Sequence, residues 1–189
     1  DHIWVGTNHG LLQFDKKKGQ FHRTYLDRFP KLATLNHSDI ITILKDRRGD
    51  LWFSIVHGFN VGFQVLRLSI RSGQLSDFPD QAIFQDFVTR SIVEDSQGDI
   101  WFGSENGLIR YKVDEDNFQL YQHDPDESNS LPNNYINKIL LHSDGSMWLG
   151  MNHVGLVHWD PGGSIKQHFP AIVGDTSSLS SQRIRDCLL

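Results

Sequence analysis

Cysteine is almost absent. The single thiol, Cys187, excludes an intramolecular disulfide and a cysteine-rich zinc module. Long apolar runs are missing as well: glycine and polar residues interrupt every stretch before the roughly 20 residues a membrane helix needs. No leader-like apolar region follows the first residue. Because the chain opens at Asp1 rather than Met, it is expected to be a piece of a longer polypeptide, and any targeting segment can lie outside it. Charge of one sign is not concentrated anywhere. The 18 Lys and Arg are scattered among 23 Asp and Glu for a net charge of −5, so no basic stripe offers itself to nucleic acid. There is no helical stripe, no Ser/His/Asp order, no phosphate loop and no CxxC. What remains is a globular composition, 38% hydrophobic and 22% charged over 189 residues, enough for one good-sized domain.

What is present is a repeat. Trp4, Trp52, Trp101 and Trp148 recur at spacings of 48, 49 and 47 residues. They stand in the phrases DHIWVG, GDLWFS, GDIWFG and GSMWLG. Ahead of the last three runs a phrase ending in a turn: IITILKDRRG, TRSIVEDSQG and INKILLHSDG. It places Ile43, Ile92 and Ile139 nine residues before the Trp and Gly49, Gly98 and Gly145 three before it. Downstream come GLLQF, GLIRY and GLVHW, ending on Phe14, Tyr111 and Trp159. A further apolar phrase opens at Phe21, Phe118 and Ile165, delayed to Leu75 in the second repeat.

Each unit thus holds four short β-rich runs bounded by Gly, Asp, Asn and Ser: A (the I-x-x-I phrase), B (Trp), C (GLxxY) and D (FxxY). Four short strands per 40–50 residues predict an all-β fold, a β-propeller of four four-stranded blade equivalents spanning residues 1–189. A single such sheet cannot bury both faces, so the tryptophans are read as core wedges between blades. Their other reading, ligand stacking, is disfavoured by recurrence in every unit. The chain opens in a B phrase and closes in an A phrase. QRIRDCLL at 182–189 aligns with NYINKILL at 134–141, which divides one blade between the termini and puts Cys187 in an inner-strand core slot. Either the four blades close as a small ring or they form an arc of a larger one. The arc, part of a larger ring and prone to self-association through exposed edges, is the preferred expectation.

IVEDSQGDIWFGSENGLIRY and ILLHSDGSMWLGMNHVGLVHW resemble the two-component regulator propeller repeat, and so does the linker DPDESNSLPNNYI between D and A. Departures are Ser54 for the usual Gly, His142 for the turn Asp, and an insertion at His57–Gly62. The resemblance implies the extracytoplasmic, periplasmic sensor of a bacterial inner-membrane signalling protein. Its output, a histidine kinase or diguanylate cyclase, would lie outside this chain. A non-catalytic ligand-binding segment is therefore expected, with no cofactor. The partners expected are an unknown small ligand, for which carbohydrate is one class known in the family, the remaining blades of the same protein, and a second copy in a homodimer. The alternative is a propeller lyase or a glycan-active enzyme. HSDGSMW resembles the Asp box of sialidases, but its residue order is wrong.

Ten histidines are many for this length. His9, His57 and His153 share one slot five residues after the Trp, where the third repeat has Asn106. All are expected in B–C loops, with His37 and His123 in D–A loops opening on the same face. A metal needs three or four ligands around one ion, and equivalent loops on different blades stand too far apart, so no metal is expected there. The D–A loops, 27–38, 79–87, 122–134 and 170–181, are rich in Asp, Ser, Asn and Pro, and loops on a rigid scaffold are where binding concentrates. Aromatics beside them (Phe29, Phe59, Phe63, Phe84, Phe87, Tyr135) suit either sugar stacking or blade packing. Candidate ligand-binding residues are His9, His57, Asn60, Asn106, Tyr135 and His153. Asp46 and Asp95 are read as turn residues, and Asp15–Gly19 and Asp114–Asp116 as exposed C–D hairpins. No carboxylate pair has a glycosidase-like spacing.

Overall fold

A computed structural model describes residues 2–23, 29–57, 62–77, 83–84 and 87–188. Alternating residues with turn glycines give fifteen strands in it. They are β1 (His2–Thr7), β2 (Gly10–Asp15), β3 (Gln20–His22), β4 (Ser38–Lys45), β5 (Leu51–His57), β6 (Phe63–Leu68) and β7 (Leu75–Asp77), then β8 (Thr89–Glu94), β9 (Ile100–Ser104), β10 (Gly107–Lys112) and β11 (Asn117–Tyr121), and β12 (Ile136–Leu141), β13 (Met147–Met151), β14 (Leu156–Asp160) and β15 (Ser164–Phe169). One 3₁₀ turn covers Pro30–Leu35. No helix among the described residues is long and apolar enough to cross a membrane.

The strands make four antiparallel meanders: β1-β2-β3, β4-β5-β6-β7, β8-β9-β10-β11 and β12-β13-β14-β15. Three sheets have the expected A-B-C-D order. The first has three strands, not four, because it begins at strand B. Residues 182–188, read as a further A phrase, are not in a strand. They nevertheless take up the start of one: Ile184 N–H donates to Met151 O at 3.0 Å, and Ile184 covers Gly150 as Ile136 covers Gly103. Cys187 is half-buried and its thiol is pushed up by burial first, then by Asp186.

Two compact units divide the chain, residues 1–89 and 90–189. The first has a core of Leu11, Leu35, Leu51, Phe53, Ile55 and Leu68 with Trp4 packed against it. The second is built on Trp101, Ile136, Ile139, Leu149, Met151 and Trp159. Inside each unit adjacent sheets meet through a small-residue slot. A Cβ on Gly6 would stand 2.6 Å from Ile40 Cγ2, and one on Gly103 2.8 Å from Ile136 Cγ2. The glycine two residues after the Trp is therefore where the next blade's first isoleucine seats.

The tryptophans of the second and third sheets are wholly buried. Each side chain removes some 150–250 Å² from water, a gross gain of about 4–6 kcal/mol. Each is also pinned by polar groups. Trp52 Nε1 donates to Asp46 Oδ2 at 2.9 Å and Trp101 Nε1 to Asp95 Oδ2 at 2.7 Å. The other carboxylate oxygen caps the turn, accepting Asp50 N–H at 2.8 Å and Asp99 N–H at 3.0 Å. Arg67 and Arg110, opposite the Trp in strand C, lie over the indole rings at 5.3 and 5.0 Å. They pair with Asp50 and Asp99 at 2.7 and 2.8 Å. The turn role expected for Asp46 and Asp95 holds, with an indole hydrogen bond added to it.

Candidate functional site

In an antiparallel meander the B–C and D–A connections fall at one end of the sheet, because strand B and strand D run the same way. The site residues sought in the sequence sit at that end, in two groups. His9 and His57 are in the first unit. Asn106, Tyr135 and His153 are in the second. Asn60 and Phe59 lie outside the described residues.

His9 is exposed, with Nδ1 2.8 Å from Asn8 Oδ1 and its carbonyl accepting Arg23 Nη2 at 3.1 Å. His57 is not in a loop but ends β5. It is half-buried and both ring nitrogens are engaged, Nδ1 with Ser38 Oγ at 2.9 Å and Nε2 with Gln64 Oε1 at 3.0 Å. A ring with both nitrogens engaged closes the strand ends and has little left for a ligand. His153 is exposed and holds a left-handed backbone at φ +72°.

The second unit brings an unforeseen set together. Arg90, in β8, pairs with Glu105 of the β9–β10 loop: Nη2 to Oε1 is 2.6 Å and Nε to Oε1 3.2 Å. The same guanidinium lies over the Tyr135 ring at 5.2 Å from its centroid. Tyr135 is positioned by its own backbone, whose N–H donates to Asn133 Oδ1 at 2.7 Å and whose carbonyl accepts Asn152 N–H at 2.9 Å. Burial first, and the Glu105 carboxylate second, push the Tyr135 phenol above its ordinary range, against Arg90. Next to Glu105, Asn106 is half-buried and accepts Gln122 Nε2 at its carbonyl (3.0 Å) and at Oδ1 (2.8 Å). Strand end, loop tip and incoming linker thus converge as a cation, a carboxylate, a phenol and two amides.

Of the six residues read from the sequence, the structure places Tyr135 in this cluster and Asn106 beside Glu105 in the chain. Arg90 and Glu105 were missed. Their signal was available: Ile41 and Asn137 occupy the slot of Arg90, and Asn8 and Asn152 that of Glu105. The D–A loops themselves spend their polar groups internally. Ser130 Oγ donates to Asp124 O at 2.8 Å and accepts Asp124 N–H at 2.9 Å, while Leu131 is fully buried. Among the loop aromatics, Phe29 and Phe84 are buried, which favours packing over sugar stacking.

Four-strand antiparallel meanders repeated around a Trp-and-Asp turn define a propeller protein. Residues 82–106 and 130–153 match the two component regulator propeller family, so the chain carries repeats of that family. The fold matches the extracellular domain of BT3049 from B. thetaiotaomicron, described as a hybrid two component system, at TM-score 0.70 and 21% identity. That alignment covers 98% of this chain and 22% of the other. The extracellular domain of BT4673 from the same organism matches at TM-score 0.61 and 22% identity, over 97% of this chain and 29% of that one. PorZ of Porphyromonas gingivalis, a surface component of the type-IX secretion system, matches at TM-score 0.64 and 13% identity, over 98% and 27%. At these identities the likeness is one of fold, and this chain spans less than a third of each of these relatives. No curated protein matches the chain.

Proposed function

We propose that this chain is a non-catalytic sensing segment of an extracytoplasmic propeller in a bacterial membrane signalling protein. In this reading the Arg90–Glu105–Tyr135 cluster, with Asn106 beside it, recognises a polar small ligand such as a carbohydrate. The observation that carries it is the combination of regulator-propeller repeats with a charged cluster that breaks the repeat. Glu105 and Asn106 supply acceptors, Arg90 and the amides supply donors, and the Tyr135 ring supplies an apolar edge. Pockets that pair a few polar groups with an aromatic are the usual small-molecule design. Further blades come from the same polypeptide, and a second copy pairs at a sheet edge.

Isothermal titration with a panel of glycan oligosaccharides tests the reading. Saturable binding that Glu105→Ala and Arg90→Ala abolish, with the sugars recovered intact by mass spectrometry, is the expected result. Binding unchanged in both variants would remove the site assignment. Cleavage of a glycan, lost in His57→Ala or His153→Ala, would replace the sensor with the enzyme.

A further inference from the structure

We propose that His2, Asp15 and His22 form a binding site for a divalent transition metal of the zinc class on one face of the first sheet. This inference stands apart from the ligand site above and involves none of its residues.

The register places the three side chains together. His2 pairs with Asp15 and Trp4 with Gln13 across β1 and β2, while Gln13 pairs with His22 and Asp15 with Gln20 across β2 and β3. Directly paired residues, and residues two apart on one strand, share a face. His2, Asp15 and His22 therefore project to the same side from three adjacent strands. Their ligand atoms all lie within 4.8 Å of one another. His2 Nε2 stands 3.8 Å from Asp15 Oδ2, and the two imidazoles meet edge-on with centroids 5.3 Å apart. Bonds of 2.0–2.1 Å in a tetrahedron bring ligand atoms to about 3.3 Å from one another, so modest side-chain rotations close the set.

The carboxylate is already oriented. Asp15 is buried among its neighbours, and its Oδ1 accepts Lys17 N–H at 2.8 Å and Lys18 N–H at 3.2 Å. This leaves Oδ2 toward His2, the outer-shell arrangement that metal carboxylates use. An open groove lined by His2, Trp4 and Gln13 on one side and by Lys45, Arg48 and Arg71 on the other lies beside His2. Two imidazoles and one carboxylate suit zinc rather than calcium or magnesium, which prefer all-oxygen shells.

The set is not part of the repeat. The corresponding positions are Asp99, Lys112 and Gln119 in the third sheet, and Ser146, Asp160 and Gln167 in the fourth. The scaffold therefore does not require the two histidines, while Asp15 shares with Asp160 the capping of the C–D turn. The histidines weighed from the sequence were spread over loops of different blades, whereas these stand side by side within one sheet.

The test uses the untagged 189-residue chain, stripped with a chelator and dialysed. Zn²⁺ affinity is measured by competition with a chromophoric chelator, and Co²⁺ is added separately to read the visible bands of a four-coordinate site. One ion per chain is expected, with affinity at least about tenfold weaker in His22→Ala and Asp15→Asn and unchanged in His9→Ala. Far-UV circular dichroism reports folding; if His22→Ala does not fold, His2→Gln at the exposed end of β1 gives the same comparison. No saturable binding in the micromolar range overturns the proposal. So does binding that these variants leave unchanged, which would put the ion on other histidines.

Discussion

Replacing Asp95 by Ala asks whether a blade is held by its turn carboxylate as well as by tryptophan area. Asp95 is buried and accepts Trp101 Nε1 at 2.7 Å, Gln97 N–H at 2.9 Å and Asp99 N–H at 3.0 Å. After truncation the two turn N–H groups can find water, since Gln97 is exposed and Asp99 half-exposed, so each costs about 0.5–1 kcal/mol. The indole N–H cannot, because Trp101 has no exposed surface; an orphaned buried donor costs about 1–3 kcal/mol. The total expected is about 2–5 kcal/mol. Asp95→Asn keeps a carbonyl for the turn but presents an amide to the indole, for about 1–3 kcal/mol. The assay is urea unfolding followed by far-UV circular dichroism. The diagnostic is a double-mutant cycle with Trp101→Phe, which removes the orphaned donor, so the two penalties should overlap by about 1–2 kcal/mol. Strictly additive penalties, or an Asp95→Ala cost below about 0.5 kcal/mol, would falsify the reasoning.

Trp52→Ala and Trp101→Ala should each cost about 3–5 kcal/mol by cavity formation; losses near 1 kcal/mol would show that the sheets reclose over the gap. Gly103→Ala puts a Cβ 2.8 Å from Ile136 Cγ2 and should cost about 1–3 kcal/mol, read as a lower thermal midpoint, with no change refuting the seat. Burial raises the phenols of Tyr121 and Tyr135, so the folded chain favours their neutral forms. Their contribution is present below the ordinary tyrosine range and is lost as pH rises through the folded values. A titration at 295 nm should show two late-ionising tyrosines that become ordinary in urea. Cys187, its thiol raised, should alkylate more slowly at neutral pH than in the unfolded chain.

The blade plan was legible because it rests on local signals: the turn Gly, the Trp and the alternation of strands B and C all fall within 15 to 20 residues. Less legible was anything that depends on which strands lie side by side. His57 read as a loop residue because its slot does so in other repeats, but β5 runs through residue 57. Its partners, Ser38 and Gln64, are fixed by cross-strand pairing. Arg90 and Glu105 are 15 residues apart, and Tyr135 a further 30; only the turn from one sheet into the next unites them. His2 and His22 likewise carry no local pattern, and their meeting follows from the register alone.

The repeat also serves as its own alignment, and it separates scaffold from function. The fourth sheet replaces the turn Asp by His142, the Asp before the Trp by Ser146, and the strand C Arg by His158. These three changes are physically one. Asp144 takes over the turn, held well below the usual carboxylate range by the Ser146 hydroxyl first and by His142 next. His158 stacks on Trp148 at 4.4 Å and meets Ser146 Oγ at 2.7 Å, the counterpart of Arg110 on Trp101 with Asp99. Residues that change together preserve a contact and so belong to the scaffold. Glu105 and Arg90 depart from their slots and pair with each other, but they also engage Tyr135, whose slot is held by Asp39 in the second repeat and Arg183 at the chain's end. A charged pair that recruits an aromatic from the next blade does more than restore a lost contact, and that surplus is the physical ground for placing recognition there.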